Sequence, residues 1–372
     1  MTDMHSHRSK RINRRAVLVS GIVGAGLMCA PRIVRAQGAR KIRLSLPWVA
    51  QGSTLYPQVA QQAGFWSKRG LDVDIARGYG SFAAVQAMAT DKFDFAIAQF
   101  PPLVISVAKN LPVTTLAVAN TTAGWAIGIS EGSPIKKPQD LAGRTIAGTA
   151  SATDYIILHE YFRRVGVDPA SVKTVQVDSK ILEQVLISRQ VDAITAVISS
   201  SAPVFVSQKF PIRFLPYREV GLDAYGLSLT GRNDLIAKDP ELVKNFTEGL
   251  IEGMELALTQ PDEALKLFIK AVPEVELSST GADFARIGLG TYQVMADSPT
   301  SRNVGLGHAD PDALRDQIDL TIKYLADPGV RVPSVAEVYN PTFLGNRKLT
   351  SAQWDNVAKS AAAYWPLFKS TT

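Results

Sequence analysis

Residues 64–100 read GFWSKRGLDVDIARGYGSFAAVQAMATDKFDFAIAQF, and this one run forces a strand, a glycine turn, a helix and a second strand in immediate succession. Between 71 and 76 apolar and charged side chains alternate, the period of a strand with one buried face. Gly78-Tyr79-Gly80-Ser81 then turns the chain. Ser81 stands at the N-cap position of a helix carrying Phe82, Val85, Met88 and Ala89 on one face. Residues 93–98 follow as a second, mostly apolar strand. A glycine loop at a strand's carboxyl end lets backbone approach a bound molecule closely, and the next helix turns N–H groups and its positive dipole end toward it. Such a corner suits a small anion or a polar heterocycle.

The first 36 residues have a different character. Arg8, Lys10, Arg11, Arg14 and Arg15 precede an apolar stretch over 16–30, and Val34-Arg35-Ala36 before Gln37 forms a small-residue cleavage site. The pattern predicts an export signal removed after Ala36, and Arg14-Arg15 followed by Ala16-Val17-Leu18 places it in the twin-arginine class. Roughly 15 apolar residues fall short of the roughly 20 a membrane-spanning helix needs. Seven of the 40 basic residues and one of the 34 acidic residues lie in this segment, which leaves 33 of each in the mature chain. A formally neutral chain offers no basic excess for nucleic acid. Cys29, the only cysteine, also lies in the signal, so the mature chain can form no disulfide, thiolate nucleophile or cysteine metal site. Met28 before it is bulkier than the residue that lipidation sites carry there.

The remaining 336 residues exceed one ordinary core and suit two domains in the periplasm. Strands and helices alternate throughout, the mark of α/β layering. Strands are expected at 41–46, 113–119, 125–129, 144–147, 173–177, 191–197 and 225–230. Helices are expected at 54–63, 152–165 and 180–188. After Tyr225 the chain turns mostly helical, with Pro240, Pro261 and Pro311 as first helical residues and Asp239 and Asp310 as N-caps. The last amphipathic helix is expected over 351–368.

These residues support a resemblance. Gly64-Phe65-Trp66 with Gly70-Leu71-Asp72-Val73, the Gly78–Ser81 loop followed by Gln86, Asp94-Phe95-Ala96, Leu141-Ala142-Gly143-Arg144-Thr145-Ile146 and, near the end, Tyr339-Asn340-Pro341-Thr342-Phe343-Leu344 occur in one order. In that order the chain resembles substrate-binding proteins of ABC importers, in the family of the nitrate, sulfonate and taurine binders and the thiamine-pyrimidine (NMT1/THI5-like) binders. The resemblance implies a two-lobed periplasmic-binding-protein fold of type II, with each lobe a mixed sheet flanked by helices and two crossing strands as hinge. Lobe one would hold 41–122 plus 226–345, lobe two 123–225, and 346–372 would be a C-terminal helix. The implied partners are a small-molecule ligand and an inner-membrane ABC permease. A monomer without cofactor or metal is expected.

Ligands of open α/β sheets sit beyond the carboxyl ends of the strands. That rule selects Trp48 and Gln51 after the first strand, Tyr79, Gly80 and Ser81 after the second, and Gln99 and Phe100 after the third. From lobe two it selects Thr149, Ser151, Asp154 and Ser199, and Trp125 lies beside the first crossing. None is cationic, so the pocket should stack and hydrogen-bond. Plainer roles compete: Ser81 as helix cap, Asp154 with Ser151 at capping-box spacing, and Trp66, His159 and His308 as structural residues. No nucleophile elbow, His-Glu-x-x-His or phosphate loop occurs, and the enzymes of the resembled fold family lean on cysteine. A binding function is therefore expected, with a small organic anion such as a sulfonate first, from the glycine loop and helix starts. A pyrimidine-like heteroaromatic is the alternative, from Trp48, Tyr79, Phe100 and Trp125; the same module could instead serve a sensor, and a periplasmic lyase on the same fold is the remote alternative.

Overall fold

The computed structural model describes residues 39–150 and 152–370. The export signal expected over 1–36 lies outside the described residues, as does Ser151. Among the described residues ten strands form two five-stranded mixed sheets: β1 (Arg40–Ser45), β2 (Leu71–Ala76), β3 (Phe95–Gln99), β4 (Val113–Val118), β5 (Trp125–Ser130), β6 (Thr145–Gly148), β7 (Lys173–Gln176), β8 (Ala193–Val197), β9 (Ile212–Pro216) and β10 (Leu227–Arg232).

The first sheet runs β2-β1-β3-β10-β4 and the second β7-β6-β8-β5-β9. Their logic is the same. β1 pairs in parallel with β2 and β3, and β6 in parallel with β7 and β8. In each sheet the fourth place is taken by an antiparallel strand that follows a crossing: β10 between β3 and β4, β5 between β8 and β9. The architecture is α/β with two lobes.

The two crossing segments, 119–124 and 217–226, hydrogen-bond to one another. The Gly226 amide donates to the Asn120 carbonyl at 2.9 Å, and the Asn120 amide to the Leu227 carbonyl at 3.1 Å. One oxygen of Asp223 accepts from the Thr122 hydroxyl at 2.8 Å, the Ala123 amide at 3.1 Å and its neighbour Ala224 at 2.9 Å. Burial nevertheless pushes this carboxyl up to about 6.

Most expected elements fall within a residue or two of their places, because long apolar periods with proline starts leave little choice. Asp239 accepts from the Leu242 amide ahead of the helix Pro240–Thr259, and Asp310 from Asp312 ahead of Pro311–Leu325. Other details differ. The helix Ser81–Ala89 is capped by Gly80, at φ +110°, and the Ser81 hydroxyl accepts from the Gln99 amide at 3.1 Å. The helix expected over 152–165 is two, Thr153–Ile156 and Leu158–Arg164. β9 and the helix Phe100–Ala108, whose apolar run and tandem prolines hide its period, have no counterpart in the sequence reading.

The end of the chain is not one helix. Ser351–Ser360 places Trp354 and Val357 in the first lobe's core. Ala361 and Phe368 then enter the core beside the second sheet. Helix Gly281–Ala296 does the same within one element, with Leu289 and Tyr292 in the first core and Val294 and Met295 in the second. Packing therefore joins the lobes in addition to the crossings.

Candidate functional site

The carboxyl ends of the strands of both sheets face a cleft with two connected chambers. The outer chamber has a volume of about 410 Å³ and the inner one about 160 Å³. Trp48, Gln51, Gly80, Ser81, Gln99, Val197 and Ser200 border both. One hydrogen bond crosses between lobes at this border, from Gln51 Nε2 to Ser200 Oγ at 3.4 Å.

Two loops of the first lobe build one wall. The Gly78 amide donates to the Trp48 carbonyl at 3.1 Å, and the Gly80 amide to Pro47 at 2.8 Å. A Cβ on Gly78 would lie 1.9 Å from the Leu46 carbonyl oxygen, so only glycine lets the loops close on one another. Those two amides are thereby committed to protein carbonyls.

Tyr79 stands at the rim, 72% exposed, with the Arg77 guanidinium 4.7 Å from its ring centre. Trp48 is half-exposed beside both chambers, and Thr149 and Asp154 line the outer one and Ser199 the inner one. The Thr149 hydroxyl is buried without a hydrogen-bond partner. Phe100 and Trp125 lie elsewhere. Phe100 is fully buried in the first lobe, its ring edge-on to Tyr225 at 6.1 Å, and Trp125 is 2% exposed inside the second lobe's core. Strand alternation explains Trp125, since its face of β5 also carries Ile127 and Ile129 into that core.

Asp154 is 3% exposed in the first turn of Thr153–Ile156, whose N-cap position is Ala152. It is not a cap in the expected sense. Burial raises its pKa, against the opposing pull of the Thr195 hydroxyl. Beside it lies Glu183, which the sequence reading did not select. Its Oε1 accepts from the Ser201 hydroxyl at 2.8 Å. Burial raises this carboxyl too, and the charge of Asp154 adds to the rise. Glu183 enters from the first turn of Leu182–Ile187, a few residues beyond the end of β7. The strand-end rule applied to β7 would have flagged that loop. Among the described residues lining either chamber there is no Lys, Arg or His.

This fold, with its cleft between two α/β lobes, is that of the periplasmic binding proteins. The family profile described as NMT1/THI5 like matches residues 55–264, and the chain belongs to that family. It is 22% identical over 230 residues to the formylaminopyrimidine-binding protein of Halalkalibacterium halodurans, covering 61% of this chain and 69% of that one. It is 23% identical over 246 residues to the 4-amino-5-hydroxymethyl-2-methylpyrimidine phosphate synthase of Legionella pneumophila, covering 63% of this chain and 75% of that one. In three dimensions it is similar to the periplasmic aliphatic sulphonate binding protein SsuA from Escherichia coli, with a TM-score of 0.64 at 12% identity over 82% of this chain and 99% of that one. The two sequence relatives thus carry the names of a binding protein and an enzyme.

Proposed function

We propose that this chain is an exported solute-binding protein that holds a neutral or cationic heteroaromatic bearing N–H donors, of aminopyrimidine type, and delivers it to an ABC permease. One observation carries the choice of ligand: the outer chamber presents Asp154 and Glu183 and no cationic side chain. A sulfonate or nitrate would lose its water against two carboxylates, with no cation to repay it. An amino group or protonated ring nitrogen would instead give each carboxylate a charge-assisted hydrogen bond. Trp48 and Tyr79 offer ring faces for stacking at the mouth. The pyrimidine names of two sequence relatives support the same reading, while the likeness to SsuA speaks only to the fold.

Closure follows from linkage. A solute that touches both walls favours the arrangement in which they are near, and its differential affinity drives the lobes together. The hinge would run through 119–124 and 217–226, with 41–122 plus 226–345 on one side and 123–225 on the other.

A thermal-shift and calorimetric panel tests the reading, with tryptophan emission compared between wild type and Trp48→Phe. 4-Amino-5-hydroxymethyl-2-methylpyrimidine should raise the melting temperature and change an emission signal that Trp48→Phe lacks. Ethanesulfonate, taurine and nitrate should do neither. Binding of ethanesulfonate in preference to the aminopyrimidine would refute the proposal.

A further inference from the structure

The deep end of the cleft contains a polar atom that no protein group answers. Asn120 is 1% exposed and sits on the first crossing segment, immediately beyond β4. Its backbone is held by the second crossing through Gly226 and Leu227. Its side-chain Nδ2 meets Met295 Sδ at 3.8 Å, and its Oδ1 is buried without a hydrogen-bond partner. Asn120 lines the inner chamber together with Gln99 and Ser199. The second crossing approaches closely here, since a Cβ built on Gly226 would lie 2.9 Å from Asn120 Cβ. An unpaired buried acceptor is a standing penalty on stability, and such groups in native structures call for an explanation beyond packing.

We propose that Asn120 is a ligand contact placed on the hinge. The inner chamber receives an O–H or N–H donor, carried on a short substituent of the bound heterocycle, at Asn120 Oδ1, while the ring lies in the outer chamber between Trp48 and the Asp154–Glu183 wall. The inference rests on the proposed solute site and sharpens its ligand class. The ligand has two polar ends, one read by the carboxylates of lobe two and the other by the crossing segment. Because the backbone of Asn120 is hydrogen-bonded to Gly226 and Leu227, occupation of its side chain acts directly on the strands about which the lobes would turn.

The test uses the full mature chain, stripped of solute by unfolding and refolding, and two probes that differ by one hydroxyl: 4-amino-5-hydroxymethyl-2-methylpyrimidine and 4-amino-2,5-dimethylpyrimidine. Wild type should bind the hydroxymethyl compound about tenfold more tightly, the scale set by pairing a buried acceptor. Asn120→Leu should erase that preference, whereas Asn120→Asp, which keeps an oxygen in place, should retain it. Melting of the solute-free proteins gives a second readout, with Asn120→Leu unchanged or higher because an unpaired polar group has been removed. Equal affinities in wild type, or a preference that survives in Asn120→Leu, would overturn the assignment. If neither pyrimidine binds wild type, the aminopyrimidine reading of the outer chamber falls, and the melting comparison alone decides Asn120. A drop of several degrees in solute-free Asn120→Leu would make the residue structural and overturn the proposal, and an unchanged or raised value would uphold it.

Discussion

Changing Glu183 to Gln removes one charge from the outer chamber while keeping the shape of the side chain, and it should move binding and stability in opposite directions. The Ser201 hydroxyl can still donate to the remaining carbonyl oxygen, so the local scaffold is retained. A hydrogen bond to an ionised group contributes about 1.5–3 kcal/mol and one between neutral groups about 0.5–1.5 kcal/mol. The loss for an N–H-donating ligand is therefore about 1–1.5 kcal/mol, or about five- to tenfold in Kd. The empty protein gains, because a buried carboxylate and its repulsion from Asp154 disappear together. For a chain of this length the unfolding entropy is about 0.7 kcal/mol per degree, so ~1 kcal/mol of relief raises the melting temperature by ~1–2 °C. Asp154→Asn should behave alike. The double variant should depart from additivity, since the two carboxylates share one environment. Calorimetry with 4-amino-5-hydroxymethyl-2-methylpyrimidine and thermal melting of the solute-free proteins measure both effects. Both carboxyls have raised pKa values, so wild-type affinity should fall as the pH drops, beginning above the ordinary carboxylate range near 4. Unchanged affinity in Glu183→Gln together with a lowered melting temperature would refute the reasoning, for it would make the residue part of the scaffold only.

Two further outcomes follow from the hinge and the core. Asp223 holds its proton up to about 6, whereas an unfolded aspartate releases it near 4, so the folded chain binds more protons between those values. Stability should then decline by up to ~3 kcal/mol as the pH climbs from about 4 to about 6 and level off above. Asp223→Asn should flatten that slope in urea titrations across the range, and a slope that persists in the variant would place the titration elsewhere. Gly249→Ala would put a Cβ 2.3 Å from the Trp66 ring, which is pinned by its Nε1 bond to the Phe246 carbonyl at 2.9 Å and stacked on the Phe246 ring at 4.9 Å. Overpacking of this kind costs about 1–3 kcal/mol and should lower the melting temperature by ~2–4 °C. A loss below about 0.5 kcal/mol would mean that the ring yields.

Much of the fold was legible along the chain because its signals are local. The alternation of Leu71, Val73 and Ile75 with charged residues, and the proline starts at 240, 261 and 311, act within a few residues of themselves. Of the residues the strand-end rule selects, Trp48, Gln51, Tyr79, Gly80, Ser81, Gln99, Thr149, Asp154 and Ser199 border the cleft. Phe100 and Trp125 lie in the cores instead, Trp125 by alternation along β5 and Phe100 as the first residue of the helix Phe100–Ala108, which is buried along its whole length. The rule did not reach Glu183, whose place on the wall depends on how Leu182–Ile187 follows β7, or Asn120, which lines the inner chamber only because two crossings far apart in sequence lie side by side.

The sequence by itself determined the class of architecture and the formally neutral, cysteine-free composition of residues 37–372, since composition and period do not depend on where distant segments meet. Which groups share the cleft is visible only in the tertiary structure. It tied the Gly78 and Gly80 amides to the Trp48 and Pro47 carbonyls respectively, and it brought Asp154 and Glu183, from separate helices, to one wall. Electrostatic character belongs to groups close in space, and that closeness is set by packing across the whole chain.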